Sequence, residues 1–269
     1  MGANHKLELL GIRQTFTSKG QTVQVLEDIH IHVKEGEFVS IIGPSGSGKS
    51  TLFHIIGGLI QPTAGVVQLD GKEVTGTRGL ISYMPQQPAL FPWRSIEDNV
   101  VLAQEVSGSK SGRSDSLEQA RSWLAKVGLS GYEKQYPHVL SGGMQQRVSF
   151  LRALLSPQEL MCLDEPFGSL DALTRQDMQE WLLNIWEANK RSVLFVTHSI
   201  EEALFLSDRI YVLSNKPTKV IKEIIIPFDR PRRQSVMTES AFQQLRMEIY
   251  ELMRERQQGN QVQGAKESL

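Results

Sequence analysis

The sequence predicts an α/β protein: a mostly parallel sheet covered by helices, with an N-terminal antiparallel β-subdomain and an inserted α-helical subdomain. Three observations carry that expectation. Short unbroken apolar runs at 37–42, 80–84, 160–163, 193–196 and 210–213 read as strands buried on both faces, the mark of a parallel sheet clothed by helices. The first forty residues alternate instead, with Leu7, Leu9, Val23, Val25, Ile29, Ile31 and Val33 apolar between Gly and Lys breaks, the period of antiparallel strands. Between Pro88 and Pro157 the texture becomes helical.

In chain order, the strand at 37–42 feeds a glycine loop and a helix that begins near Lys49. Ser116 and Gln119 are spaced as a capping box for a helix with Leu117, Ala120, Leu124 and Val127 on one face and Gly128 as its stop. Residues 107–114, SGSKSGRS, read as a flexible loop. A further helix starts at Ser141, shows Val148, Leu151 and Leu155 on one face, and ends near Pro157. After Pro227 comes RPRR, whose three arginines read as a solvated loop because they fall far below the basic density of a nucleic-acid surface. A last helix carries Phe242, Leu245, Ile249 and Leu252 on one face. The expected division is 1–87 for the first part of the α/β core with its antiparallel subdomain and 88–157 for the helical insert. Residues 158–228 then complete the core, and 229–269 form a helical tail.

Composition narrows the function classes. With 269 residues, 40% of them hydrophobic and 22% charged, the chain is an ordinary globular one with an ample core. A net charge of −1 argues against a protein that works by neutralising nucleic-acid backbones. The single cysteine, Cys162, excludes an intrachain disulfide and fits a reducing cytosolic setting. No stretch approaches the ~18 apolar residues needed to cross a bilayer, and the N-terminus lacks the basic-then-apolar pattern of a secretion signal. Lys6 stands where a myristoylation motif needs Ser or Thr. A soluble chain without a lipid anchor is expected.

The chemistry concentrates in a few short stretches. Gly43-Pro44-Ser45-Gly46-Ser47-Gly48-Lys49-Ser50, followed by Thr51, fits the phosphate-loop spacing. Its glycines let backbone N–H groups wrap a polyphosphate, Lys49 reaches the β and γ oxygens, and Ser50 ligates Mg²⁺. The strand at 160–163 ends in Asp164 and Glu165, which places acids at the sheet edge where ligands bind in such folds. Asp164 is positioned to hold Mg²⁺, and Glu165 to polarise an attacking water. His198 follows another strand as a γ-phosphate contact and sensor; Gln86 follows a third as a contact to Mg²⁺ or the water. Ser141, Gly142 and Gly143 open a helix, which makes a second anion site from backbone N–H groups and the helix dipole.

Together these stretches resemble one family, the ATP-binding cassette ATPases of membrane transporters. The resemblance covers about residues 6 to 228 in the family's motif order: GPSGSGKST, the glutamine in MPQQPALFPW, LSGGMQQR, LMCLDEP, the SLD of Ser169 to Asp171, and the histidine in VTHSIEEA. It implies a phosphate-loop NTPase core with a RecA-like sheet, with ATP and Mg²⁺ as cofactors. It also implies a head-to-tail homodimer in which Ser141, Gly142 and Gly143 of one copy close over the ATP of the other, with Asp171 crossing the same interface. The family's glutamine after the glycines is Met144 here, which leaves the backbone contacts in place. Phe16 is the aromatic expected to stack on adenine.

Within the family, PALFPWRSIEDNV, LSGGMQQRVSFLRALL and LDEPFGSLDALTR look most like importers for nitrate, taurine, alkyl sulfonates or thiamine-precursor pyrimidines. The implied partners are transmembrane permease subunits and, indirectly, an extracytoplasmic solute-binding protein, with the chain peripheral at the cytoplasmic face of the membrane. The alternative is a soluble cassette ATPase of DNA repair, ribosomes or iron–sulfur assembly; no sustained heptads separate the phosphate loop from the signature, as repair types require. A GTPase-like switch is discarded, because 215–218, NKPT, has Thr218 in place of the carboxylate that reads guanine.

Overall fold

The computed structural model describes residues 5–18, 20–108, 112–168 and 170–266, with side chains as far as Arg254. Met1, Gly2, residues 109–111 of the expected flexible loop, and Ser169 of the SLD stretch lie outside the described residues. The chain divides into two compact units, 1–79 with 182–269, and 80–181. The second cut falls inside a helix.

The first unit begins with β1 (His5–Ser18), β2 (Gln21–Lys34), β3 (Phe38–Ile42), α1 (Lys49–Ile56), β4 (Ala64–Leu69) and β5 (Lys72–Glu73). The second supplies β6 (Ser82–Met84), α2 (Ile96–Val106), α3 (Arg113–Lys126), α4 (Gly142–Leu154) and β7 (Leu160–Asp164). Helix α5 (Ala172–Asn189) belongs to both; β8 (Ser192–Thr197), α6 (Ile200–Leu206), β9 (Arg209–Leu213), β10 (Val220–Ile225) and α7 (Ser240–Lys266) complete the first.

Two kinds of sheet follow from two kinds of patterning. The alternating N-terminal strands form an antiparallel sheet in the order β2-β1-β4-β5. Its register shifts between Leu9 and Ile12, where Gly11 takes φ +62. The unbroken apolar strands behave differently: β3 is parallel to both β8 and β9, and antiparallel β10 closes the edge beside β9. All residues of β3, β8 and β9 are buried. Phe38 packs edge-on against Trp186 at 5.7 Å and tilted against Phe195 at 5.8 Å.

One buried polar cluster ties the two sheets of this unit together. Arg209, 4% exposed, donates two hydrogen bonds of 2.6 Å to the Glu37 carboxylate and one of 2.8 Å to Glu223. It also meets His32, whose Nδ1 lies 3.1 Å from the Tyr211 hydroxyl. The His5 ring sits 4.5 Å from that of His32. A buried cation needs such a full set of acceptors, since leaving it unpaired would cost several kcal/mol.

The RPRR stretch departs from the expected solvated loop. Arg232 is 7% exposed and donates to the carbonyls of Leu204, Phe205 and Ser207 at the end of α6. Arg230 donates to the Leu206 carbonyl and to Asp208, and its guanidinium lies 4.1 Å over the Trp186 ring. The last carbonyls of a helix have no partner within it, so cations are favoured there. Burial, with Arg230 beside it, pulls the Arg232 guanidinium down to about 10. Arg233 alone faces solvent.

In the second unit, β6 and β7 pair in parallel, and α2 packs on α3 and α4. Residues 88–157 hold helices and no strand among the described residues. The capping box is corrected: α3 starts at Arg113 with Gly112 as its N-cap, which puts Ser116 inside the helix. Arg113 pairs with Asp98 and Glu105 of α2, and that tertiary anchor lets the first turn form upstream. Gly128, at φ +71, follows the end of α3 as expected. The expected strand at 80–84 narrows to Ser82–Met84, with Leu80 40% exposed.

His32 generates a prediction. Burial, then the charges of Arg209 and His5, hold its folded-state value below the ordinary 6.5, while Glu37 and Glu223 pull the other way. Between that value and pH 6.5 only the unfolded chain takes up the proton, so stability is full above the window and is lost as pH falls through it. The urea midpoint of the wild-type chain should therefore drop between pH 7.5 and pH 5.5 by more than that of His32→Asn.

Candidate active site

In the first unit, buried β3 delivers the glycine loop at its C-terminal end. Gly48 takes φ +92 as the N-cap of α1, and no side chain caps the helix. The first turn thus meets the positive end of the helix dipole with no side-chain cap. Gly48 cannot be replaced freely: an added Cβ would lie 2.7 Å from Val25 Cγ1. Lys49 is 7% exposed, and its Nζ donates at 2.9 Å to the carbonyls of Gly43 and Pro44. Pro44 and Thr51 are half-buried; Ser45, Gly46 and Ser50 line the exposed mouth.

Two further predicted residues belong to this unit. Ile42 pairs with Thr197 in the parallel register of β3 and β8, so Gly43 and His198 leave the sheet side by side at one edge. His198 is exposed. Its neighbours are fixed: the Ser199 N–H donates to Thr197 Oγ1 at 3.0 Å, and Ser199 Oγ accepts the Glu202 N–H at 3.2 Å. Phe16, opposite Val23 in the β1–β2 hairpin, is 40% exposed, which suits a stacking platform better than a core residue.

The second unit brings together Gln86, Asp164 and Glu165. Met84 is in register with Leu163, so Gln86 and Glu165 each lie two residues past a paired position. The Gln86 amide donates to Glu165 Oε2 at 3.1 Å. Asp164 is 2% exposed and bonded to the Tyr83 hydroxyl, which burial and then the Asp164 charge hold well above the usual phenol range. The same two causes, burial first, raise the buried Cys162 thiol, leaving it inert. Glu165 has φ +46, a region that costs a non-glycine residue ~1–3 kcal/mol and recurs at functional sites. Its carbonyl accepts from the Gly168 N–H at 3.1 Å and from Gln146 Nε2 at 3.4 Å.

The signature residues begin α4. Ser141 is its N-cap, and Ser141 Oγ accepts the Met144 N–H at 3.3 Å. The methionine thus contributes through its backbone. A Cβ on Gly142 would meet nothing within 4 Å, whereas one on Gly143 would press Leu170 at 3.1 Å. Asp171 Oδ1 accepts the Thr174 N–H at 3.0 Å and caps α5, and hydrogen bonding from the Thr174 side chain, then from its N–H, holds the carboxyl below the usual range.

Sequence reasoning passed over Tyr83 and Gln146. Tyr83 stood in a strand read only for its apolar pattern, and Gln146 in a motif read only for its helix start. Within the second unit, Gln86 and Asp164 offer an amide oxygen and a carboxylate, both hard oxygen donors. That set fits Mg²⁺, which keeps several waters and binds with substrate phosphates.

A phosphate loop at the end of a buried strand in the first unit, and two acids at the end of a buried strand in the second, are together the sequence elements of a nucleoside-triphosphate hydrolase. The comparisons with known proteins go further. The ABC transporter family model matches residues 26–168. The chain is 43% identical over 239 residues to the aliphatic sulfonates import ATP-binding protein SsuB of Bacillus cereus, covering 89% of this chain and 92% of that one. It is 41% identical over 246 residues to the nitrate import ATP-binding protein NrtD of Synechococcus elongatus, covering 90% and 89%. A post-hydrolysis dimer of the ATP-binding cassette MJ0796 bound to ADP and Pi superposes with a TM-score of 0.75 at 31% identity, over 83% of this chain and all of that one. The chain belongs to the ABC transporter family, as an ATPase of the nitrate- and sulfonate-importer type. Among the described residues no helix is long and apolar enough to cross a membrane.

Because asparagine tolerates positive φ far better than glutamate, Glu165→Asn should abolish turnover yet stabilise the nucleotide-free chain by ~0.5–1 kcal/mol. Urea denaturation read beside an ATPase assay checks both.

Proposed function

We propose that the chain is the energising subunit of a membrane importer, acting as a head-to-tail homodimer around two MgATP at the cytoplasmic face of the membrane. The observation that carries this reading is the second helix start: α4 opens with Ser141 and an unobstructed Gly142, an anion site beyond the one at Gly48. A partner's γ-phosphate is its natural occupant. Asp171, capping α5 on exposed surface, crosses the same interface.

Each residue then has a task. Phe16 stacks on adenine. Residues Gly43 to Thr51 wrap the phosphates, with Lys49 leaving the Gly43 and Pro44 carbonyls for the β and γ oxygens. Ser50 of the first unit, and Asp164 and Gln86 of the second, are the residues that would offer oxygens to Mg²⁺, which would supply charge neutralisation on the phosphates. Glu165 accepts a proton from the attacking water while Gln86 orients its carboxylate, and His198 contacts the γ-phosphate. ATP binding favours the closed dimer only through its better contacts there, and hydrolysis removes them.

The partner is a permease. Phe91 and Trp93 stack at 5.0 Å and 10°, and Trp93 is 71% exposed. Buried Asn99 braces this turn, donating to the carbonyls of Phe91, Arg94 and Ser95 and accepting the Phe91 N–H. A rigid, exposed aromatic pair is the kind of anchor that protein interfaces use. Arg152 of α4 donates to the carbonyls of Pro88 and Ala89 just before it, a path by which α4 senses docking. The likeness to sulfonate and nitrate importers supports nitrate, taurine, alkyl sulfonates or a thiamine-precursor pyrimidine as solute, delivered by an extracytoplasmic binding protein, with no role for nucleic acid.

Glu165→Gln should bind MgATP and persist as a closed dimer in light scattering; a variant that remains monomeric at saturating MgATP sinks the dimer reading. Trp93→Asp should keep the isolated chain's ATPase within about twofold and lose co-purification with the permease, an interface anchor of this type contributing ~2 kcal/mol or more.

A further inference from the structure

Residues 215–218, NKPT, fail as a guanine reader because of Thr218, yet Thr218 is completely buried. Its backbone is pinned on both sides: its N–H donates to the Val25 carbonyl at 3.0 Å, and its carbonyl accepts the Glu27 N–H at 2.9 Å. The result is a parallel bridge to Leu26 of β2. Held in this way, the Thr218 hydroxyl donates to the carbonyl of Ser47 in the phosphate loop. The loop is backed elsewhere too, with Gly48 against Val25 and Leu26 and Gly43 against Leu213.

The chemistry of the peptide bond gives that one contact its consequence. The Ser47 carbonyl and the Gly48 N–H belong to a single planar trans unit and point in opposite directions. An oxygen tied inward to Thr218 therefore aims the Gly48 N–H outward, at the uncapped start of α1. Untied, a peptide flanked by a left-handed glycine can rotate, since glycine populates both signs of φ.

We infer that Thr218 is a positioning residue of the nucleotide site, its hydroxyl fixing the Ser47–Gly48 peptide so that the loop's N–H groups meet phosphate preorganised. The inference rests on residues 43–51 being the phosphate site. Nothing of Thr218 itself touches the nucleotide.

Two substitution pairs isolate the hydroxyl: wild type against Thr218→Val, and Thr218→Ser against Thr218→Ala. Dissociation constants for MgATP and MgADP are titrated on the purified chain beside steady-state kinetics, with Lys49→Ala in parallel. In each pair the member without the hydroxyl should bind both nucleotides about fivefold more weakly, as one lost hydrogen bond predicts. KM should rise by a similar factor while kcat moves by less than about twofold. Equal affinities within both pairs overturn the inference even if thermal midpoints fall, because a purely structural hydroxyl would do that. If Thr218→Val does not fold, the Ser/Ala pair decides alone. Unchanged affinity in Lys49→Ala overturns the phosphate-site reading itself, a failure distinct from that of the tether.

Discussion

On the proposed reading a polyphosphate is gripped by backbone N–H groups, and backbone grips only where side chains are kept out of the way. That constraint explains the glycines, the left-handed Gly48 and the absence of a side-chain cap on α1. It also explains why so much of the first unit is spent on bracing a short loop: glycine is the most conformationally free residue, so what it gains in access it loses in definition. Val25, Leu26, Leu213 and Thr218 restore that definition from behind. The two helix starts solve the same problem differently. At α1 no side chain competes for the N–H groups; at α4 the Ser141 hydroxyl already accepts one of them. On the proposed reading, that capping bond makes α4 the weaker anion site, suited to closing over a phosphate held elsewhere.

The glutamate is governed by the opposite constraint. Glu165 must project a side chain from a backbone conformation that disfavours side chains, and such strain persists only when its surroundings over-determine it. Three separate stretches do so: Gln86 bonds its carboxylate, and Gly168 and Gln146 bond its carbonyl. Gln146 is 2% exposed and belongs to α4. A shift of α4 is thus felt at the peptide carrying Glu165, and Arg152 on the same helix bonds the segment after Gln86. On the proposed reading, hydrolysis geometry and docking geometry share one helix.

Most of this was legible in the sequence where the requirement is local. The phosphate loop, the apolar strands and the helix start at Ser141 follow from backbone geometry within a few residues, and they stand where spacing put them. The misreadings have a common origin in contacts between distant residues. Arg230 and Arg232 looked solvated because nothing near them in the chain needs a cation, yet the end of α6 does. Ser116 and Gln119 had the spacing of a capping box, but Arg113 reaching Asp98 and Glu105 moved the helix start upstream. Thr218 was judged only for the carboxylate it lacks.

The arginines also bear on His198. Helix α6, at seven residues, is far too short to hold itself together, so its position depends on what brackets it. Ser199 and the Thr197–Glu202 pair secure its start, next to His198. Arg230 and Arg232 secure its end, and Arg246 of α7 reaches Glu201 on its first turn. A buried guanidinium with a depressed pKa is a costly way to end a helix. It becomes intelligible if the helix must not drift, because any drift carries the backbone of the neighbouring histidine with it. The tail after β10, remote in sequence from the stretches that carry the proposed chemistry, is in this sense part of the scaffold that places His198.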